Sequence, residues 1–209
     1  MISQAMRDRL DAGLRSLSVE VSAGQVESLI SFLALIQKWG MAYNLTAIRE
    51  ISEAIDLHLL DSLTVSPFLD GGRVMDVGTG AGLPGIPLAI VHPDKRFVLL
   101  DSSAKKIRFV RHAIMELGLA NVEAVASRVE DYRPSVGFDL VLARAFSSLS
   151  EIRTMVAHLL GSEGRVLALK GQYPRGEVEA LQGAVDVRVH VLAIPGLAVE
   201  RHLVEFGVG

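Results

Sequence analysis

Asp76, Gly78, Gly80, Gly82 and Asp101 are the residues of this chain whose types and spacing suit ligand chemistry. The stretch Arg73-Val74-Met75-Asp76-Val77-Gly78-Thr79-Gly80-Ala81-Gly82-Leu83-Pro84-Gly85-Ile86 reads as a buried strand, a glycine turn and a helix start. Without a Cβ, the turn backbone bends tightly and approaches a ligand closely. Pro84 suits a first helical turn, where its missing N–H costs nothing. Free N–H groups at that helix start are expected to face a ligand lying over the turn. Asp76, beneath the turn, either bonds loop N–H groups or orients the turn toward a ligand. Asp101 closes the next apolar run, where a carboxylate can accept two ribose hydroxyls or simply cap a helix.

The elements that must hold these residues follow from periodicity. Residues 1–70 read as a helical extension and 71–209 as one compact ligand-binding unit, with Pro67 and Gly71-Gly72 at the boundary. Ser22-Ala23-Gly24-Gln25 fits a capping box, and Val26, Leu29, Ile30, Leu33 and Ile36 follow at helical spacing, a core-facing stripe that Trp39 and Tyr43 continue. Tyr43-Asn44-Leu45-Thr46 reads as a helix exit. A further helix over Ile51 to Leu63 places His58 and Asp61 on one face, where they can pair. From Arg73 strands alternate with helices, which predicts a parallel sheet covered on both faces. The strands fall at Val74–Val77, Phe97–Leu100, Val122–Val125, Phe138–Ala143 and Val166–Leu169, with helices at Pro84–Val91, Lys105–Leu117, Ser148–Leu160 and near Gly176–Gln182. The link between Val187–Leu192 and Leu203–Phe206 is too short for a parallel crossover, so those two strands are expected to be antiparallel neighbours.

Composition removes several function classes. Half of the 209 residues are hydrophobic, as in a globular chain, and no apolar run approaches the length that spans a bilayer. Arg7, Asp8 and Arg9 stand where a signal peptide needs an apolar core, so a cytoplasmic location is expected. The absence of cysteine excludes disulfides, thiolate metal sites and cysteine nucleophiles. The histidines are scattered, and no metal is expected. A net charge of −3 gives no global attraction to nucleic acid, so any such site must be a local basic patch.

Gly80-x-Gly82-x-x-Gly85, with Asp101 about 20 residues on, satisfies the dinucleotide pattern. Counted from the end of the strand, however, the glycines are 78, 80 and 82, and Leu83 takes the third dinucleotide position. No Gly-Lys-Ser/Thr follows, so this is not a phosphate loop of the Walker type. The order apolar-apolar-Asp-apolar-Gly-x-Gly-x-Gly, with an acidic residue closing the next strand, resembles the S-adenosylmethionine-dependent methyltransferases of the Rossmann-like type. The resemblance narrows further. Residues 76–90, Asp-Val-Gly-Thr-Gly-Ala-Gly-Leu-Pro-Gly-Ile-Pro-Leu-Ala-Ile, are similar to the signature of the bacterial 16S rRNA guanine-N7 methyltransferase family, also called glucose-inhibited division protein B. Tyr43–Ile48, His58–Leu63, Ser127–Asp131, Arg144–Phe146, Ala168–Gly171 and Arg201–Val204 resemble other blocks of that family.

The resemblance implies an α/β, Rossmann-like methyltransferase fold: a mostly parallel seven-stranded sheet with an antiparallel C-terminal strand and an N-terminal helical extension. It implies S-adenosylmethionine as cofactor, methyl transfer to N7 of a guanine in a decoding-region loop, and 16S rRNA or the small ribosomal subunit as partner. By the same resemblance Asp76, Gly78, Gly80, Gly82, Leu83, Asp101, Arg128, Val129, Glu130 and Arg144 touch the cofactor or shape its pocket, with Arg144 positioning rather than acting as a base. Two features of the chain agree with an N7 target. There is no cysteine for pyrimidine C5 chemistry, and the turn after the fourth strand reads Ala143-Arg144-Ala145-Phe146 rather than the Asn/Asp-Pro-Pro-aromatic turn common in exocyclic amine methylation. Guanine N7 carries an in-plane lone pair and no proton, so it needs alignment more than acid–base help. Lys95, Arg96, Lys105, Lys106, Arg108 and Arg111 crowd one stretch that either holds RNA phosphates or is a solvated face. Asn44, Lys170 and Arg201 are RNA candidates if they converge near the C-terminal edge of the sheet. Two other readings are a nicotinamide-dependent oxidoreductase and a non-catalytic ribosome-assembly factor on the same fold.

Overall fold

A computed structural model describes residues 4–43, 48 and 50–209. Asn44 and the helix exit expected at 44–46 lie outside the described residues. Two helices, α1 (Gln4–Ser16) and α2 (Ala23–Tyr43), come first. Ser22 and Gln25 exchange the expected reciprocal bonds at the start of α2, the Gln25 N–H reaching Ser22 Oγ at 3.3 Å and the Ser22 N–H reaching Gln25 Oε1 at 2.8 Å. The next helix is not uniform. A turn of α3 (Ile51–Ala54) widens into a π-helical segment (Ile55–Leu60) and returns to α-geometry as α4 (Asp61–Leu63).

The sheet follows: β1 (Arg73–Val77), α5 (Gly85–Val91), β2 (Arg96–Asp101), α6 (Ala104–Leu117), β3 (Val122–Ala126), β4 (Phe138–Arg144), α7 (Leu149–Val156), β5 (Leu160–Lys170), α8 (Arg175–Glu179), β6 (Val185–Val191) and β7 (His202–Gly207). The seven strands lie in the order β3-β2-β1-β4-β5-β7-β6. Strands β1 to β5 pair in parallel, and β7 runs antiparallel between β5 and β6. The antiparallel β6–β7 pair is the one its short link predicts. β5 begins earlier than its apolar core suggests, because the polar residues Gly161 to Glu163 already belong to the strand.

Alternation along the strands divides the interior in two. Val74, Leu99, Leu140, Leu142 and Leu167 point to the face covered by α2, α5 and α6. Met75, Val77, Leu100, Val141 and Ala168 point to the face covered by α7. The N-terminal helices join the first of these cores through Leu10, Leu29, Phe32, Leu33, Leu59 and Leu60, all essentially inaccessible. Arg9 on α1 donates to the buried Asp56 carboxylate of the π segment, with Nε at 2.9 Å, so the first helix braces the third. No helix among the described residues is long and apolar enough to cross a membrane.

Candidate functional site

The site grows from the carboxyl ends of β1 and β2, beside the point where strand order reverses and a doubly wound sheet opens a crevice. After Val77 the chain turns over β2: the N–H groups of Gly78 and Thr79 both donate to the Leu100 carbonyl, at 2.8 and 3.0 Å. Gly78, Gly80 and Gly82 have φ of 69°, 59° and 83°, a region side chains with a Cβ seldom occupy. At Gly78 the need is also steric, since a Cβ there would lie 2.5 Å from the Phe146 ring. The helix-start N–H groups do not face outward as the sequence suggested. Gly85 N–H donates to Asp76 at 3.0 Å, and Ile86 N–H donates to the Gly82 carbonyl at 2.8 Å. Gly85 closes α5 against β2, because a Cβ would strike Leu99. The third glycine of a dinucleotide turn does the same, so glycine spacing alone does not separate the two ligand classes.

Asp76 lies fully buried under this turn. Its Oδ2 accepts from Thr79 Oγ1 at 2.6 Å and from Gly85 N–H, while Oδ1 has no partner among the described residues. Burial pushes the carboxyl up to about 7, against the opposing pull of Thr79, Gly85 and the Arg144 charge. The native state therefore holds this proton more tightly than the unfolded chain does. The stabilisation is complete below the ordinary value of 3.8 and is lost as pH rises through about 7. Compared with Asp76→Asn, the unliganded wild type is expected to lose thermal stability progressively between about pH 4 and 7. Parallel melting profiles across that range would contradict this account of Asp76.

A cavity of about 300 Å³ opens beside the turn, lined by Gly78, Leu100, Asp101, Ser102, Lys106, Ser127, Arg128, Val129, Glu130, Ala145, Phe146 and Met155. It thus brings together Gly78, Asp101, Arg128, Val129 and Glu130 from the predicted set, delivered by the ends of β1, β2 and β3. Phe146 and Met155 went unforeseen. Phe146 was legible only within the block Arg144–Phe146, and Met155 only as a position inside the helix expected over Ser148–Leu160. Gly80, Gly82, Leu83, Asp76 and Arg144 stand outside this lining. Leu83 packs against the first core, and Gly80 reaches the site through its N–H, which donates to Asp101 Oδ2 at 3.0 Å. Asp101 Oδ1 takes the Ser103 N–H at 2.8 Å, and Lys106 Nζ sits 3.2 Å from Oδ2.

The basic stretch does not form one patch. Lys95 bonds the Gly71 carbonyl, and Arg96 begins β2, both at the end of the sheet away from the cavity. Arg111 holds the Ala124 carbonyl, and Lys106 turns inward to Asp101, away from the outward face on which Lys105 is exposed. Lys170 Nζ is tied to the Ser147 carbonyl and to Glu177, each at 2.8 Å.

A second cluster forms where β4 and β7 meet the π segment. Arg144 Nη2 lies 3.0 Å from Asp61 Oδ2, and Arg201 Nε lies 3.1 Å from Asp61 Oδ1. The expected His58–Asp61 pairing thus gives way to two guanidinium groups. The physical reason is the π turn, which changes the phase between residues three apart. Burial, reinforced by the Arg144 charge, lowers His58 to about 4. Ala145, just past β4, has φ 47°, a non-glycine outlier of the kind that gathers at functional sites. Among the described residues no cluster of His, Asp and Glu is arranged to hold a metal ion.

The residues present fit an adenosyl cofactor. The cavity has an acidic rim at Asp101 and a bare-backbone wall at Gly78, and beneath the turn, outside the lining, Asp76 keeps one buried carboxylate oxygen unpartnered among the described residues. Solved structures with this fold include an S-adenosylmethionine-dependent methyltransferase from Aquifex aeolicus, with a TM-score of 0.56 and 18% identity over 74% of this chain and 92% of that one. An O-methyltransferase from Streptomyces achromogenes, solved in complex with S-adenosylmethionine, matches at a TM-score of 0.56 and 19% identity over the whole of both chains. At those identities they establish the fold. The sequence goes further. A family model described as rRNA small subunit methyltransferase G matches residues 25–204. Ribosomal RNA small subunit methyltransferase G of Methylococcus capsulatus is 55% identical over 94% of this chain and 96% of its own, and that of Aeromonas salmonicida 50% over 96% and 97%. A fold of S-adenosylmethionine-dependent methyltransferases, a matching cavity and half-identical relatives over nearly the full length agree: the chain belongs to the rRNA small subunit methyltransferase G family.

Proposed function

We propose that this protein methylates N7 of a guanine in a decoding-region loop of 16S rRNA, acting in the cytoplasm on the free RNA or on the small ribosomal subunit. Membership of the family makes it an S-adenosylmethionine-dependent rRNA methyltransferase. The observation that carries the finer reading is the make-up of the edge after β4. Arg144 and Arg201 there are both paired with Asp61, Lys170 is paired with Glu177, and Glu151 caps α7. His58, with its value near 4, is a weak base at neutral pH. Such a site suits a nucleophile with a free lone pair and no proton to surrender. When bound, the cofactor supplies an electrophilic sulfonium methyl group. Asp101 is placed to accept ribose hydroxyls, Phe146 closes the cavity over Gly78, and Arg144 orients the reacting groups. A guanine in a loop or distorted site exposes N7, whereas the deep, narrow major groove of an RNA duplex hides it.

The test is methyl transfer from labelled cofactor into 16S rRNA and into small subunits, followed by borohydride reduction and aniline cleavage, which cuts at 7-methylguanine. One cleavage site is expected, with the label released at the cut as the modified base. The single-turnover rate is expected to stay nearly flat from about pH 5.5 to 7.5. Because His58 titrates near 4, a flat profile alone does not exclude the imidazole; the deciding variant is His58→Gln, which is expected to keep most of the rate. Label that resists cleavage, or a His58→Gln protein that folds and is inactive, would point to another target atom.

A further inference from the structure

Arg144 is held by groups that reach it from the N-terminal helices, and the manner of holding is specific. Asp61 donates its backbone N–H to the Asp56 carbonyl, one residue further back than an α-helix uses. The Leu57 carbonyl, the α-helical partner of that N–H, is thereby left to accept from Arg144 Nη2 at 3.1 Å. The same Nη2 meets Asp61 Oδ2 at 3.0 Å, and the Asp61 side chain is only 2% exposed. Nη1 of Arg144 remains buried without a hydrogen-bond partner among the described residues. A part-buried guanidinium, 23% exposed, that is fixed on one nitrogen and unsatisfied on the other is arranged to meet an acceptor that arrives with a ligand, since leaving such a donor unmade is costly.

We propose that Asp61 is a positioning residue for methyl transfer. Its carboxylate, with the Leu57 carbonyl exposed by the π turn, holds the Arg144 guanidinium so that Nη1 presents to an acceptor atom on the bound cofactor or the target guanine. The inference rests on the reading that Arg144 belongs to the site. It accounts for the π-helical segment, because a regular α-helix would make the Leu57 carbonyl share its acceptor sites with the Asp61 N–H and would rotate Asp61 to another face. It also explains the contact made by the first helix, where Arg9 anchors the segment through Asp56. Arg201 shares the other oxygen of Asp61 and balances the carboxylate from the β7 side.

The experiment is a double-mutant cycle on the full chain with Asp61→Asn, Arg144→Ala and the two combined. It is read as the single-turnover rate at saturating RNA and cofactor, so that weakened binding does not register. Asp61→Asn is expected to lose roughly 100-fold, as a displacement of about 1 Å does. The combined variant is expected to fall within about threefold of Arg144→Ala alone, because residues acting as one unit lose little more when both are removed. A wild-type rate in Asp61→Asn, or losses that multiply in the double variant, would overturn the proposal. If Asp61→Asn does not fold at the assay temperature, Asp61→Glu decides. It keeps the charge but pushes the guanidinium out by a methylene, and a folded, slow enzyme is expected. A folded Asp61→Glu protein of wild-type rate, or failure of both variants to fold, would leave Asp61 a purely structural role and overturn the proposal. Arg144→Ala with wild-type rate would instead remove Arg144 from the site, and with it the reading on which the inference rests.

Discussion

Valine at Gly78 is expected to abolish binding of S-adenosylhomocysteine, with no heat of binding up to about millimolar ligand. Two costs combine at this position. The backbone sits at φ 69°, where a non-glycine residue costs on the order of 1–3 kcal/mol and a β-branched one stands at the upper end. The new Cβ would also fall 2.5 Å from Phe146, so either that ring leaves the cavity or the turn shifts. Both movements change the wall that the ligand must meet. Each 1.4 kcal/mol is tenfold in affinity, so a loss beyond about 100-fold follows. Gly80→Ala is a graded control. Its φ is 59°, but a Cβ there would meet no atom nearer than 3.9 Å, so strain alone acts and a smaller loss is expected. Calorimetry on folded protein checks both; wild-type affinity in Gly78→Val would remove the glycine turn from the cofactor site.

Asp101→Ala is expected to weaken the same ligand by about 10- to 100-fold, the worth of one charge-assisted hydrogen bond at about 1.5–3 kcal/mol. The structure adds a condition. A carboxylate offers about four acceptor sites, and Gly80 N–H, Ser103 N–H and Lys106 Nζ already use Asp101. Two ribose hydroxyls are accommodated only if the Lys106 side chain, 45% exposed, swings away. Lys106→Met is therefore expected to preserve or raise affinity, whereas Lys106→Glu sets a second carboxylate against Asp101 and lowers it. Unchanged affinity in Asp101→Ala would assign the carboxylate to the turn and the α6 cap alone.

The parts of the fold that were legible in the sequence are those governed by local rules. The apolar run Val74, Met75 and Val77 marked β1 as a buried strand, and the helix starts read at Ser22 and Ser148 are where the capping bonds are found. The glycine turn was legible because few residues tolerate its backbone. What stayed hidden depends on contacts far along the chain. Nothing near Asp61 in sequence announces Arg144 or Arg201, so the nearby His58 looked like its partner. The π segment has no compositional mark, since its residues Ile-Asp-Leu-His-Leu-Leu fit an α-helix equally well. Lys106 looked like its neighbour Lys105 because charge counts ignore which side of a helix a residue occupies. Phe146 acquires its place over Gly78 only when β1 and β4 lie side by side.

Modification of one guanine of the small-subunit rRNA at N7 leaves a chemical mark in cells. Mass mapping of modified guanines in 16S rRNA, from cells with and without the protein, tests it most directly. A single decoding-region 7-methylguanine is expected to disappear without the protein, return with the wild-type chain and stay absent with Gly78→Val. An rRNA whose 7-methylguanine content is the same with and without the protein would contradict it.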